Sequence, residues 1–175
     1  MQTLKVVRKT LTMLSEHRTQ VLDITKQIRD IMLSADIKEG ILLVNSLHTT
    51  CALFVNEFQG ALVEDLKSMV EKLVPDNDGY RHDDPRYSDC ERGNASSHLR
   101  AALIGRSVAV GISGGELALG RFQSFIFAEM DGPRPRAAAP AELRDVRVSR
   151  REFTPAPARV PAVPCPHRAR VMRVD

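Results

Sequence analysis

Apolar positions along the chain change period several times, and each change marks an element. In residues 2–14, Leu4, Val6, Leu11 and Met13 follow the two-residue repeat of an edge strand or hairpin arm. Over 20–35 the repeat becomes helical. Val21, Ile24, Ile28, Ile31 and Met32 share one face, with Lys26, Arg29 and Asp30 outside it. Residues 58–74 give the clearest helix: Leu62, Leu66, Met69, Val70 and Leu73 form a stripe and Pro75 stops it. A shorter helix is predicted over 95–104, with Asn94 or Ser96 as cap and Gly105 as stop. "SVAVGI" reads as a strand, "SGGE" as a turn and "FQSFIFAEM" as a second strand.

The run after Gly40, "ILLVNSLHTTCALFV", is too long for one strand. Its 15 residues would span about 50 Å at ~3.3 Å each. Strands usually hold ~3–10 residues. The polar "LHTT" is the place to break it, giving strands 41–46 and 51–56 with His48 at the break. Residues 75–94 are a long polar loop, a length that is usually functional or disordered. From Pro133 onward the character changes, since eight of the ten prolines lie there among Ala and Arg. "LRDVRVSR" (143–150) is a candidate last strand, and 152–175 is predicted to be poorly ordered.

A chain of 175 residues, 43% hydrophobic and 27% charged, suits one globular domain. No apolar run approaches the ~20 residues of a membrane helix, and no apolar segment follows the charged N-terminus. Cys51, Cys90 and Cys165 are odd in number and far apart, which fits a reducing cytoplasm. The net charge of +3 is uneven. Ten arginines against four acids put +6 on residues 134–175, leaving −3 on the body, so nucleic acid is not an expected partner.

Three of the five histidines stand in short polar patches at element ends: His48 in "LHTT", His82 in "RHDDP" and His98 in "NASSHL". Three loop ends delivering one imidazole each can form a zinc site with an open fourth position, although no HxH or HxxxH pair anchors it and three unrelated histidines are the plainer reading. His98 falls in the first turn of its helix, where the dipole favours the neutral imidazole. Glu129 closes an apolar strand, so it is a general-base or ligand candidate, or else an ion-pair partner of Arg121 or Arg134. Asn56 and Glu57 share a site only if the strand ends there, and Glu57 could instead serve the N-terminus of the next helix. Cys51, three residues from His48, reads as core. "SGGELALG" is a weak phosphate-loop signal and a better hairpin turn.

Taken together, "LHTTCALFVNE", "VPDNDGYRHDD" and "GNASSHLRAALIGRSVAVGISGGELALGRFQSFIFAEMDGPRPR" resemble the YjbQ-like family, also described as a secondary thiamine-phosphate synthase family, over residues 2–136. The resemblance implies an α+β fold, a small β-sandwich with flanking helices that associates as a homotrimer. It maps family motif positions onto His48, Thr49, Thr50, Asn56, Glu57, His82, Asn94, Ala95, His98, Gln123, Glu129, Asp131 and Arg134. On that basis His48, Glu129 and His98 are the expected catalytic residues. Thr49, Asn56, Glu57, Asn94, Gln123 and Arg134 are expected to bind substrate, and His48, His82 and His98 to hold a divalent metal, zinc first and magnesium second. The implied substrate is a small phosphorylated molecule. The implied activity joins a pyrimidine methyl diphosphate to a thiazole phosphate and releases pyrophosphate. A zinc-dependent hydrolase with Glu129 as base and a non-catalytic trimeric binder are the alternatives. Phe122 stands where the family has Trp. "PRAAAPAELRDVRVSR" departs from the family's closing strand: either 143–150 supplies it after an insertion, or a sheet edge is exposed.

Overall fold

The apolar run after Gly40 does break at "LHTT", and its two halves lie in different sheets. The computed structural model describes residues 5–144, with side chains through Arg136. Along the chain they form β1 (Val6–Leu14), β2 (Gln20–Asp23), α1 (Thr25–Ala35), β3 (Gly40–Ser46), β4 (Cys51–Asn56), α2 (Gly60–Leu73), α3 (Ala95–Ile104), β5 (Ser107–Ser113), β6 (Glu116–Leu117), β7 (Ser124–Glu129) and β8 (Pro135–Arg144). The larger antiparallel sheet has the order β1-β8-β3-β5-β6 and the smaller β2-β7-β4. This is the α+β class expected from the sequence. Among the described residues, no helix is long and apolar enough to cross a membrane.

Alternation along the strands decides which side chains meet. Leu53 of β4 and Phe125 and Phe127 of β7 point toward the larger sheet. There they join Met13, Leu42, Val44 and Ile112, with Ile28, Met32 and Ala35 of α1, in one buried core. The opposite face of the small sheet carries smaller residues, Ala52 and Ala128, beside Val21, Phe54, Met130 and Ile104. Between β3 and β4 the turn is held by the Ser46 hydroxyl, which accepts the His48 N–H at 3.2 Å.

Three expectations change. The helix expected over 20–35 begins at Thr25, because Gln20–Asp23 pairs with β7 instead. The hairpin partner of β5 is the two-residue β6, across Gly114 and Gly115 at φ +60° and +82°, where glycine is the residue that fits. The strand carrying "SFIFAE" crosses to the smaller sheet. Finally, "PRAAAPAELR" is no insertion. It is β8, which follows the "DGPR" segment directly and pairs with both β1 and β3. The edge that the second alternative left exposed is thereby filled through Arg144, while residues 145–150 of the candidate strand and the 152–175 tail lie outside the described residues.

The β7–β8 link depends on Gly132. A Cβ there would sit 2.3 Å from the His17 carbonyl oxygen and 2.7 Å from Ser15 Oγ. Backbone oxygen cannot rotate away, so Gly132→Ala is expected to cost about 1–3 kcal/mol by urea unfolding. Gly60→Ala has no atom within 4 Å of its new carbon and should be neutral. Equal midpoints for the two variants would contradict this reading.

Candidate functional site

Where β4 begins and β7 ends, Cys51 stands opposite Glu129. Glu129 has no exposed surface. Such a carboxylate needs donors, and it has them. Arg136 donates Nε–H to Oε2 and Nη2–H to Oε1, the latter at 2.7 Å. The Asp131 amide also donates to Oε1, at 2.8 Å, and Ser15 Oγ reaches Oε2 at 3.4 Å. Arg136 Nη2 further donates to Thr50 Oγ1 at 3.0 Å. The ion-pair alternative for Glu129 therefore holds, but with Arg136 rather than Arg121 or Arg134. With its oxygens engaged and out of contact with solvent, Glu129 orders this end of the sheet instead of touching a ligand. Burial, then the Glu129 charge, push the Cys51 thiol up to about 12, so it is core as expected.

Asp131 joins this buried pair to the surface. Its carboxylate accepts from Asn94 Nδ2 at 2.8 Å and Arg134 Nη2 at 3.0 Å, and Arg92 Nη1 lies 3.9 Å away. Asn94 is thus a brace between α3 and the β7–β8 link. It occupies the N-cap position without capping, and neither does Ser96, whose hydroxyl donates to Asp76. The Ala95 N–H is accepted by Asp83 instead, at 2.9 Å. Asp83 belongs to a single 3-10 turn, Arg81–Asp83, and that turn brings His82 against His98. Their rings meet edge to face with centroids 5.0 Å apart.

His48 and His98 both have lowered pKa values. Burial, then the Arg136 charge, lower the pKa of His48, against an opposing pull from Glu129. Burial, then His82, lower that of His98, against Asp131 and Asp83. The direction for His98 agrees with the helix-dipole expectation, but its first cause is burial. Neutral imidazoles here have a stability consequence. Unfolded histidines bind protons near their ordinary ~6.5 and the folded ones only lower. Their contribution is complete above ~6.5 and is lost as pH falls toward the lowered values. The urea midpoint should drop between pH 7.5 and 5.5, and drop less in His48→Gln/His98→Gln. An equal drop in both proteins would contradict it.

Thr49, exposed where Thr50 is buried, shares with His98, Leu99 and Arg106 a depression of about 460 Å³. Three expected site residues lie elsewhere. Asn56 ends β4 opposite Ser124, five residues or ~17 Å from Cys51. Glu57 follows it, exposed and ahead of α2, so it does not serve that helix's first turn; Gln59 caps it, accepting the Leu62 N–H at 2.9 Å. Gln123 sits at the same far end and accepts the Gly120 N–H at 2.7 Å. One chain therefore carries two poles, a histidine–arginine pole and an Asn56–Glu57–Gln123 pole.

Among the described residues of one chain, no three His, Cys, Asp or Glu side chains are placed to hold a metal ion. His82 and His98 offer two adjacent imidazoles, but His48 is not grouped with them, so the expected three-histidine metal set does not fit a single chain. The sequence reading missed Arg136 and Ser15, and gave Asp131 a place in the family motif but no role. Only "PRPR", two arginines one strand step apart, hinted at the first.

The family description "UPF0047 protein YjbQ-like" matches residues 9–149. A UPF0047 protein of Archaeoglobus fulgidus is 44% identical over 126 residues, covering 72% of this chain and 93% of that one. The UPF0047 protein YugU of Bacillus subtilis is 30% identical over 73% and 92%. A solved YbjQ-like protein of unknown function from Sulfolobus solfataricus superposes with a TM-score of 0.74 at 27% identity, covering 81% and 99%. A hypothetical protein from Aeropyrum pernix gives 0.71 at 33%, covering 78% and 98%.

Proposed function

Since the chain belongs to the YjbQ-like UPF0047 family, we propose that its His48–His98–Arg134 pole binds the phosphate groups of a small molecule and carries a thiamine-phosphate synthase-type transfer. In that reaction the thiazole nitrogen lone pair forms a bond to the pyrimidine methylene carbon as the bond from that carbon to the diphosphate oxygen breaks. Both electrons leave with pyrophosphate, and no proton has to be removed from the nucleophile. The demand on the protein is to hold the two partners in line and meet charge growing on the leaving group. Neutral His48 and His98 supply N–H donors, and Arg134 a charge-assisted one.

Glu129 is the observation that carries the reaction type. A hydrolase at this pole needs a base for water, and the candidate base is locked into Arg136 and the Asp131 amide. A displacement with a ready nucleophile needs none. The divalent metal gains no support from one chain, so no step is assigned to it.

The two poles support a shared site. A head-to-tail contact, histidine pole of one copy against the Asn56–Glu57–Gln123 pole of the next, closes into a ring. We take this ring as the expected homotrimer. Large apolar side chains flank each pole: Leu47 beside His48, and Phe58 and Phe122 beside Glu57 and Gln123, all exposed in the single chain. Exposed neighbouring apolar side chains are what a partner surface covers. The cytoplasmic setting belongs to the same proposal and fits two free cysteines among the described residues.

Pyrophosphate release from the two thiamine precursors is the test. Release that requires both is expected. Release from the pyrimidine diphosphate alone would replace the transfer with hydrolysis. Binding of both without release would leave the non-catalytic binder. Metal analysis of the same sample decides whether an ion belongs to the assembly.

A further inference from the structure

Between α2, the outward face of the small sheet and the end of α3 lies an apolar cavity of about 240 Å³. Its floor follows β4 and β7 from the Ala52–Ala128 pair to Asn56, four residues or ~13 Å away. It is therefore a trough rather than a compact pocket. It exists because that sheet face carries Ala52 and Ala128 where the inward face carries Phe125, Phe127 and Leu53. Its rim is apolar as well. Met69 and Leu103 are exposed by 45% and 56%, and Leu73, one turn beyond Met69, by 61%. Exposed apolar side chains round an unfilled apolar space are what a docked partner covers.

Charge narrows the occupant. On α2 and just ahead of it, Glu57, Asp65 and Glu71 are exposed and make no hydrogen bond or ion pair among the described residues, against one such cation, Lys72. Beyond the described residues, 145–175 carry seven arginines against three acids. The stretch "ARVMRV" (169–174) within it has a three-residue repeat. On an extended three-fold chain Arg170 and Arg173 share one edge, Val171 and Val174 the second, and Ala169 and Met172 the third. Four such residues at ~3.1 Å each span the length of the trough. Residues 145–168 can reach about 75 Å at the same rise, well over the roughly 40 Å diameter of a domain of this size. A tether also holds the segment at an effective concentration on the order of 1 mM, so a weak contact is enough. We propose that the trough is filled by the chain's own C-terminal segment, with Val171, Met172 and Val174 in the apolar space and Arg170 and Arg173 turned to the acids of α2. This assignment does not depend on which reaction the histidine pole carries.

Met69 and Met130 line the trough, Met13 and Met32 belong to the core, and Met172 is in the segment itself. Methyl NMR of the methionine-labelled full chain therefore reads the contact from both sides. Val171→Asp/Val174→Asp is expected to shift the Met69 and Met130 methyls, to leave those of Met13 and Met32 in place, and to bring Met172 to the position of a free peptide. Arg170→Gln/Arg173→Gln should move Met69 and Met130 part of the way, and so should high salt acting on the unaltered chain. A nitroxide on Cys165, in a Cys90→Ser background that leaves only buried Cys51 besides it, should broaden Met69 and Met130 more than Met13 and Met32. Met69 and Met130 methyls indifferent to Val171→Asp/Val174→Asp, as when a second copy or a small molecule fills the trough, would overturn the assignment. Shifts shared equally by Met13 and Met32, or equal broadening of all four by the Cys165 label, would do the same.

Discussion

Arg136→Met is expected to lower the free energy of unfolding by about 3–5 kcal/mol, the cost of leaving one member of a buried ion pair without its partner. Side-chain exposure is 5% for Arg136 and 0% for Glu129. Solvent therefore cannot replace what the guanidinium supplies. The loss spreads further, because Arg136 Nη2 also holds Thr50 beside the turn that carries His48. The variant should unfold at lower urea with an unchanged slope. Glu129→Leu/Arg136→Met should recover part of the loss, since no charge is then buried, but not all of it. The Asp131 N–H loses its acceptor in that variant. A cost below about 1 kcal/mol for Arg136→Met would mean that the pair does not hold this end of the sheet.

His98→Ala is expected to reduce kcat/KM for the proposed transfer by about a hundredfold or more, the usual loss when one preorganised donor to a developing negative charge is removed. His48→Ala should be similar. Both imidazoles are neutral at working pH for the same first reason, burial; His48 feels the charge of Arg134 and His98 that of Asp131, the carboxylate Arg134 bonds. His82 is exposed and meets His98 by its ring. His82→Ala should therefore cost less, through the orientation of His98. A fall in kcat/KM led by His82, with His98→Ala near normal, would reverse these roles. Urea unfolding of each variant separates lost chemistry from lost fold.

Much of this architecture is legible before any coordinates. The strand-length limit places the break at "LHTT" and both flanking strands, because rise per residue is fixed by covalent geometry. Helix α3 is legible from Gly105 and local spacing. What stays hidden is long-range. Nothing local says that β4 and β7 pair so that Cys51 faces Glu129, and hence that Asn56 and Glu57 end up a sheet-length away from His48. The family resemblance put His48, Asn56 and Glu57 in one site, where the extended strand of a single chain makes two poles. Arg136 hid for the same reason: its partner lies across a change of sheet. The alanines in "PRAAAPAELR" carried too weak a strand pattern to compete with the prolines, yet β1 and β3 supply partners on both sides.

The shared site is tested most directly by mixing two defective proteins. Glu57→Ala removes an exposed side chain from one pole, and His98→Ala disables the other. Each alone is expected to release almost no pyrophosphate. Unfolded together in equal amounts and refolded, they form mixed rings in which roughly a quarter of the contacts join an intact histidine pole to an intact Glu57 pole. About a quarter of the normal rate is expected from the mixture. A mixture as inactive as its components, with ring assembly intact by mass, would show that each chain carries its site alone.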